Sequence, residues 1–299
     1  MKISCAWWNT SLAPTKASDR ATDESKRIAL QVISELLVTR GFHILGLCEL
    51  SEAEIDWLKD HCSRLGFEVV SGVEKLNRVT YDTCLIYDSK TLQYRANKNI
   101  HAMSGQSTQK IAQRVEFTIL KDQTLLNVFV SHWPSVMRMN KSNVERNRYG
   151  DHLKSAVDEV WEVDPLAKII LMGDYNDEPF DTPLAFNLKA TRDRHLASAK
   201  PGSLYNPFWN RIGSDRDYSR GSDNVGFCGT YFYAKDKLDR WRTFDQIIVS
   251  SGLLGQSQWH LDESAVEVIN LPSYTEQVMD KKTKFDHFPV AITIEWKAL

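Results

Sequence analysis

The chain has 299 residues, of which 42% are apolar and 25% charged, with a formal net charge of −2. Those proportions exclude a disordered chain and give ample length for one large two-sheet domain spanning 1–299. They also exclude a uniformly basic nucleic-acid coat, so any polyanion must be held by a few placed cations and a metal ion.

No window reaches the roughly 18 consecutive apolar residues of a membrane span, and MKISCAWWNT shows no basic leader followed by a long apolar stretch. No membrane partner is expected. Cys5, Cys48, Cys62, Cys84 and Cys228 are odd in number and lack metal-type spacing, which predicts reduced thiols and a cytoplasmic location.

The patterning predicts a strand near 2–8, a helix near 24–39, a strand near 42–48 and a helix near 52–65. Ser51 with Glu54, and Ser142 with Glu145, fit capping boxes that start helices just after Glu49 and just after the His132 loop. From 67 to 131 the runs shorten to FEVVSG, DTCLIYD, QYRANKNI, QRVEFTIL and TLLNVFVSH, which predicts an antiparallel meander. A helix over 142–161 and a strand over 168–172 restore the alternation, and FDQIIVSS and PVAITIEW close the chain as strands.

The segment 199–242 stands apart as a long aromatic and basic loop near the site. Gly202, Gly213, Gly221, Gly226 and Gly229 are interleaved with Tyr205, Phe208, Trp209, Tyr218, Phe227, Tyr231, Phe232, Tyr233 and Trp241. Its eight Lys and Arg outnumber its five Asp, a mix that suits phosphate and ring contacts or a self-packed surface loop.

Polar residues recur where apolar runs end. Gly173-Asp174-Tyr175-Asn176 follows KIILM, Asn9 follows KISCAWW, Glu49 follows FHILGLC, His132 follows LLNVFVS, and Asp286-His287 precede FPVAITIEW. Acid and amide oxygens there suit a hard divalent ion and a phosphate. Asp245 sits inside an apolar strand, where a buried carboxylate needs a partner such as a histidine.

Taken in order, WNTSL, LCEL, SHWPS, GDYND, FDQI and FDHFPV resemble the endonuclease/exonuclease/phosphatase superfamily, in a bacterial-type form, over nearly the whole chain. The resemblance implies a DNase I-like four-layer αββα sandwich of two mixed, mostly antiparallel sheets flanked by helices. It also implies metal-dependent phosphoester hydrolysis. Glu49 is then the main ligand of Mg²⁺ or Mn²⁺, with Asn9 and Asp286 assisting. His287, oriented by Asp245, faces the water or phosphate, Asp174 orients the water, Asn176 holds phosphate oxygen, and His132 is a second histidine at the phosphate. Apart from the resemblance, Arg146 and Arg148 on the helix after HWPS suit either a substrate phosphate or helix-surface salt bridges, and Trp133 is expected to contact substrate.

KLDRWRTFDQ departs in order from the tryptophan-aspartate-arginine segment of inositol phosphatases, and Ser11 stands where abasic-site enzymes place an acid. These departures point to a bacterial-type member outside either branch, and the leading expectation is a nuclease acting on DNA or RNA. The alternatives are a hydrolase of a phosphorylated metabolite or lipid headgroup, and a silent binding module, which an intact residue set disfavours.

Overall fold

Alternate residues of the first strand, Lys2–Asn9, enter two different cores. Ile3, Cys5 and Trp7 pack with Val128, Ile170, Met172 and Ile247, whereas Ala6 and Trp8 pack with Ile28, Val32, Ile55 and Leu58. A strand turns successive side chains to opposite faces, so one strand buried on both sides fixes a sheet with a second sheet on one face and helices on the other. Each fully buried aliphatic side chain contributes about 1.5–3 kcal/mol to holding these layers. The fold, taken from a computed structural model, is described for residues 1–14, 20–105, 107–135, 143–200, 202–217, 220, 226–279 and 283–298.

The first sheet runs in the order Trp259–Val268, Val290–Trp296, Lys2–Asn9, Ile44–Cys48, Cys84–Asp88, Phe67–Ser71. The second runs Ala190–Thr191, Leu204–Tyr205, Asp245–Ser250, Lys168–Asp174, Thr124–His132, Ser107–Ile119, Leu92–Ser104. Helices Asp23–Ser34 and Glu52–Leu65 cover the outer face of the first sheet, and Asn143–Val163 covers the second through Leu153, Val157 and Val160. This is the expected αββα sandwich, mixed and mostly antiparallel. Lys2–Asn9 is parallel to Ile44–Cys48 and Lys168–Asp174 is parallel to Thr124–His132, which puts Asn9, Cys48, Asp174 and His132 at the ends of parallel strands.

Several sequence expectations are refined. The first helix is α-helical over Asp23–Ser34 and continues as a wider turn of π type over Glu35–Thr39. Ser51 and Glu54 form their capping box, with the Ser51 backbone N–H donating to Glu54 Oε2 at 3.2 Å. The matching expectation for Ser142 lies outside the described residues. The stretch 67–131 is no single meander: Phe67–Ser71 and Cys84–Asp88 join the first sheet, and the three later strands join the second. Periodicity reports that a segment is a strand, but burial partners decide which sheet receives it.

The segment 199–242 is more ordered than a loop. Leu204–Tyr205 pairs with Asp245–Ser250, and Tyr231–Phe232 forms a hairpin with Trp241–Arg242. Tyr205, Phe208, Phe227, Phe232 and Trp241 are buried, so these five aromatics build core and are withdrawn from substrate contact. Tyr218, Gly221 and Asp223 lie outside the described residues. Cys5, Cys48, Cys62 and Cys84 are buried and, with Cys228, unpaired. Among the described residues no helix is long and apolar enough to cross a membrane.

Candidate active site

Strand register brings three of the expected residues into one row. Asp174 is the Cα partner of His132 on one side and of Asp245 on the other. A Cβ on Gly173 would come within 2.4 Å of the Ser131 carbonyl oxygen, so only glycine lets the strand reach Asp174 at this spacing. In the facing sheet Asn9 is the register partner of Cys48, which presents Glu49 one residue further on. Val290 pairs with Trp7, and the chain just before it carries Asp286 and His287 to the same edge.

Asn9 joins the two sheets. Its Nδ2 donates to Asp174 Oδ2 at 3.0 Å and to Glu49 Oε1 at 3.4 Å, while its Oδ1 accepts the Ser11 N–H at 3.0 Å. His287 Nε2 lies 3.7 Å from Asp174 Oδ2. Contacts of 3.4, 3.0 and 3.7 Å therefore link Glu49 Oε1 through Asn9 and Asp174 to His287 Nε2, which places those ends no more than about 10 Å apart. One cation and one phosphoryl group span such a gap.

The backbone is strained at this rim. Ser11, Glu49 and Asn176 are three of the six described non-glycine residues with positive φ, at 50°, 57° and 51°. Each such conformation costs about 1–3 kcal/mol, and strain of that size gathers where side chains must be aimed for function. Asn176 bends back so that its N–H donates to Asp174 Oδ1 at 3.0 Å, and its Nδ2 donates to the Trp133 carbonyl at 3.0 Å. An amide carries two N–H groups, so this expected phosphate holder has one committed to the backbone and one left for a ligand.

Each histidine has an aspartate behind it. His287 Nδ1 is 2.7 Å from Asp245 Oδ2, and Asp245 also receives Trp7 Nε1 at 2.8 Å and the Thr230 hydroxyl at 3.1 Å. Burial works against an imidazolium at His287, but Asp245, Asp174 and Asp286 outweigh it and hold the ring's pKa well above its usual value. His132 Nδ1 is 2.8 Å from Asp82 Oδ2, and its Nε2 faces Glu49 Oε1 at 3.9 Å and Asp174 Oδ2 at 4.0 Å. Burial lowers the His132 pKa and Asp82 raises it, with Lys110 opposing, and the net direction is upward. For Asp82, burial disfavours the carboxylate, yet His132 and Lys110 prevail and keep its pKa well below the ordinary carboxylate range.

Asp82, Lys110 and Thr230 were not singled out in the sequence. Asp82 lies two residues before the apolar run Cys84–Asp88, the same strand-end signal that marks Asp286, and could have been found. Lys110, 2.6 Å from Asp82, and Thr230 carry no local signature, because both act through residues far away in sequence.

Of three expected substrate contacts, two are buried. Trp133 is fully buried, with its Nε1 donating to the Ile111 carbonyl at 3.1 Å and its ring edge-on to Tyr175, so it is core. Arg146 is buried: its Nε donates to Asp177 Oδ2 at 2.7 Å and its terminal nitrogens to the carbonyls of Pro134 and Tyr175. It clamps the loops that follow His132 and Asp174. Arg148 is exposed and donates to Ser104 Oγ at 2.6 Å, at the C-terminal end of Leu92–Ser104, and remains an expected substrate contact.

The ligand atoms of Asp174, Asp245 and His287 lie within 4.8 Å of one another, close enough to suggest a metal-holding triad. The hydrogen bonds argue against it, since both oxygens of Asp245 already accept N–H or O–H donors and one is bound to the imidazole itself. Glu49 and Asp286 are the other acids at this rim, and Asn9 turns its amide nitrogen toward Glu49 and Asp174 while its oxygen accepts the Ser11 N–H. Burial, set against the help of His287 and reinforced by Glu49, Asp174 and Asp245, pushes Asp286 up to about 6. That crowding of acids is what a bound divalent cation relieves.

Comparison with known proteins agrees with this geometry. Residues 14–290 match the sequence profile of the endonuclease/exonuclease/phosphatase family. No curated protein sequence matches. Among solved structures, the fold is similar to the human Nocturnin catalytic domain with bound sulfate anion, at TM-score 0.65 and 16% identity, covering 99% of this chain and 95% of that one. It is similar to D. rerio TDP2 complexed with a single-strand DNA product, at TM-score 0.61 and 16% identity over 98% of this chain and 99% of that one. A Bacteroides thetaiotaomicron mannosyl-6-phosphatase superposes at TM-score 0.62 and 13% identity over 98% of this chain and all of that one. With the profile covering most of the sequence and two acid-backed histidines meeting Asp174 at one sheet edge, the chain belongs to the endonuclease/exonuclease/phosphatase family.

Proposed function

We propose that the protein is a cytoplasmic Mg²⁺- or Mn²⁺-dependent phosphodiesterase that hydrolyses DNA or RNA. The observation that carries this reading is the placing of both imidazole Nε2 atoms on Asp174, at 3.7 and 4.0 Å, each ring fixed from behind by an aspartate. Glu49, with Asn9 and Asp286, would hold the divalent ion, which would supply charge stabilisation to a phosphoryl oxygen.

The residues divide the remaining work. Asp174 orients the attacking water and accepts its proton as the new P–O bond forms. Asp245 keeps His287 an imidazolium, so its Nε2–H clamps a nonbridging phosphoryl oxygen. His132, with Asp82 fixing its other nitrogen, gives a proton to the leaving oxygen as the old P–O bond breaks. Asn176 offers its remaining amide N–H to phosphate oxygen.

Nucleic acid is favoured over a small phosphate ester because a half-buried aromatic, Tyr231, stands beside the catalytic row with its ring 4.7 Å from that of His287. The single-strand DNA product in the TDP2 relative supports the same choice, whereas the mannosyl-6-phosphatase relative supports a phosphorylated small molecule as the second reading. The test is to incubate pure protein with Mg²⁺ or Mn²⁺ and plasmid DNA, single-stranded DNA, RNA, inositol phosphates, sugar phosphates and bis-p-nitrophenyl phosphate, with and without EDTA. Metal-dependent cleavage of DNA or RNA is expected. Turnover of only the small esters would replace the nuclease reading with the second one, and silence throughout would leave a binding module.

A further inference from the structure

Beyond the row of catalytic candidates, the chain that leaves Asp174 turns outward and exposes a large aromatic side chain. Phe180 is 48% exposed, and its ring centroid is 6.2 Å from that of Trp209, tilted by 59°. The guanidinium of Arg192, itself exposed, lies 5.0 Å from the centre of the same indole. Three segments distant in sequence thus build one ladder of a phenyl ring, an indole and a planar cation. The buried indole N–H of Trp209 meets no acceptor among the described residues, a condition that costs free energy unless something else compensates.

The ladder is fastened to the catalytic row. Gln246, next to Asp245, is fully buried. Its Oε1 accepts Asn206 Nδ2 at 2.7 Å, at the start of the short helix Pro207–Arg211 that carries Trp209. Its Nε2 donates to the Asp177 carbonyl at 2.8 Å, on the segment that carries Phe180. Phe180 is six positions beyond Asp174, a reach of about 20 Å even at full extension. The platform therefore lies within a few nucleotide lengths of the scissile phosphate.

A cavity of about 510 Å³ adjoins it, with Arg192, Arg194, His195 and Asn210 in its wall beside Asp193 and Glu263. Both acids are engaged, Asp193 capping the Leu196 N–H at 2.9 Å and Glu263 accepting from Arg194 and the Tyr205 hydroxyl. That leaves the Arg192 guanidinium as a donor between the rings and the cavity.

We infer that Phe180, Trp209 and Arg192 form a subsite that stacks an unpaired nucleobase flanking the cleaved bond, with the adjoining phosphate on Arg192. The inference rests on the nuclease reading of the same site and narrows it to single-stranded nucleic acid. Duplex bases have their faces covered by neighbours, whereas an unpaired base offers a free π-face to a phenyl ring or a guanidinium plane. Aromatic contact with a base holds about 1–3 kcal/mol, so loss of one ring predicts a drop in affinity of roughly tenfold.

The experiment measures fluorescence anisotropy of labelled single-stranded DNA, single-stranded RNA and duplex DNA with Phe180→Ala, Arg192→Gln and the wild-type protein at fixed salt. Phe180 is half exposed and Arg192 exposed, so both variants are expected to keep the wild-type unfolding midpoint. Expected are single-strand affinities about tenfold weaker in Phe180→Ala and a further salt-sensitive loss in Arg192→Gln. The DNA and RNA arms tell which sugar is preferred. Unchanged single-strand affinity in Phe180→Ala, or an equal loss on duplex, would overturn the subsite. Binding is read apart from cleavage, so oligonucleotide affinity that depends on Phe180 in a protein that cuts no nucleic acid would sink the proposed function and leave this subsite standing.

Discussion

Two histidine–aspartate pairs meet at Asp174, and their surroundings differ. His287 with Asp245 is sealed: Asp245 has no exposure, and Trp7 from the facing sheet and Thr230 from the 199–242 segment complete its hydrogen bonds. His132 with Asp82 lies at the rim, with side-chain exposures of 15% and 17%, and Lys110 shares the aspartate. The other donors to Asp245 are neutral, so no second cation competes with His287 for a carboxyl whose pKa burial raises. A lysine on Asp82 takes part of that carboxylate's charge away from His132. Equal geometry thus yields one ring held firmly as a cation and one closer to the point of giving up its proton.

Replacing the groups that face the phosphate tests the comparison most severely. Glu49→Gln and His287→Ala are each expected to lower kcat by about 10³-fold, and His132→Ala by about 10²-fold, on the best substrate of the panel. Equal losses for the two histidines would erase the distinction between a charge clamp and a proton donor.

The aspartates come next. Asp245→Asn should cost about 10–100-fold in kcat with little change in KM, and Asp82→Asn about tenfold, because the second pair is softened by Lys110. A larger loss for Asp82→Asn, measured by initial rates, would reverse the ranking. A smaller effect is expected when the neutral donor to Asp245 is removed. Thr230→Val should lower kcat a few-fold, roughly one hydrogen bond of about 1 kcal/mol, and Lys110→Met should change kcat by no more than that.

The rim pair also makes a pH-dependent contribution to stability. Asp82 is depressed, so its contribution is present above the usual carboxylate value of about 4 and is lost as pH falls below it. His132 is raised, so its contribution is present below the usual imidazole value of about 6.5 and is lost as pH rises through the folded value. The stability difference between wild type and Asp82→Asn should therefore be greatest between about pH 4 and 6.5 and amount to about 1–3 kcal/mol. Urea unfolding at a series of pH values checks it, and a difference that grows steadily toward pH 9 would contradict the pairing.

The sequence by itself determined most strands and helices and the polar residues at their ends, but not the strand Trp259–Val268, the helix Pro272–Met279 or the strands within 199–242. Both signals are local: alternation marks a strand buried on one or two faces, and an acid, amide or histidine that interrupts an apolar run marks its exit. Asn9, Glu49, His132, Asp174, Asn176, Asp245, Asp286 and His287 were legible in that way, and the structure draws them to one edge. Only the tertiary structure decided what each of them touches. The division of 67–131 between two sheets, the service of Trp7 and Thr230 to Asp245, and the pairing of Asp82 with His132 are long-range matters. So is the conversion of Arg146 from an expected phosphate contact into a clamp between loops. Such outcomes depend on which buried polar group finds a partner once the two sheets close, and the energy that selects the partner exists only after water has been excluded from between them.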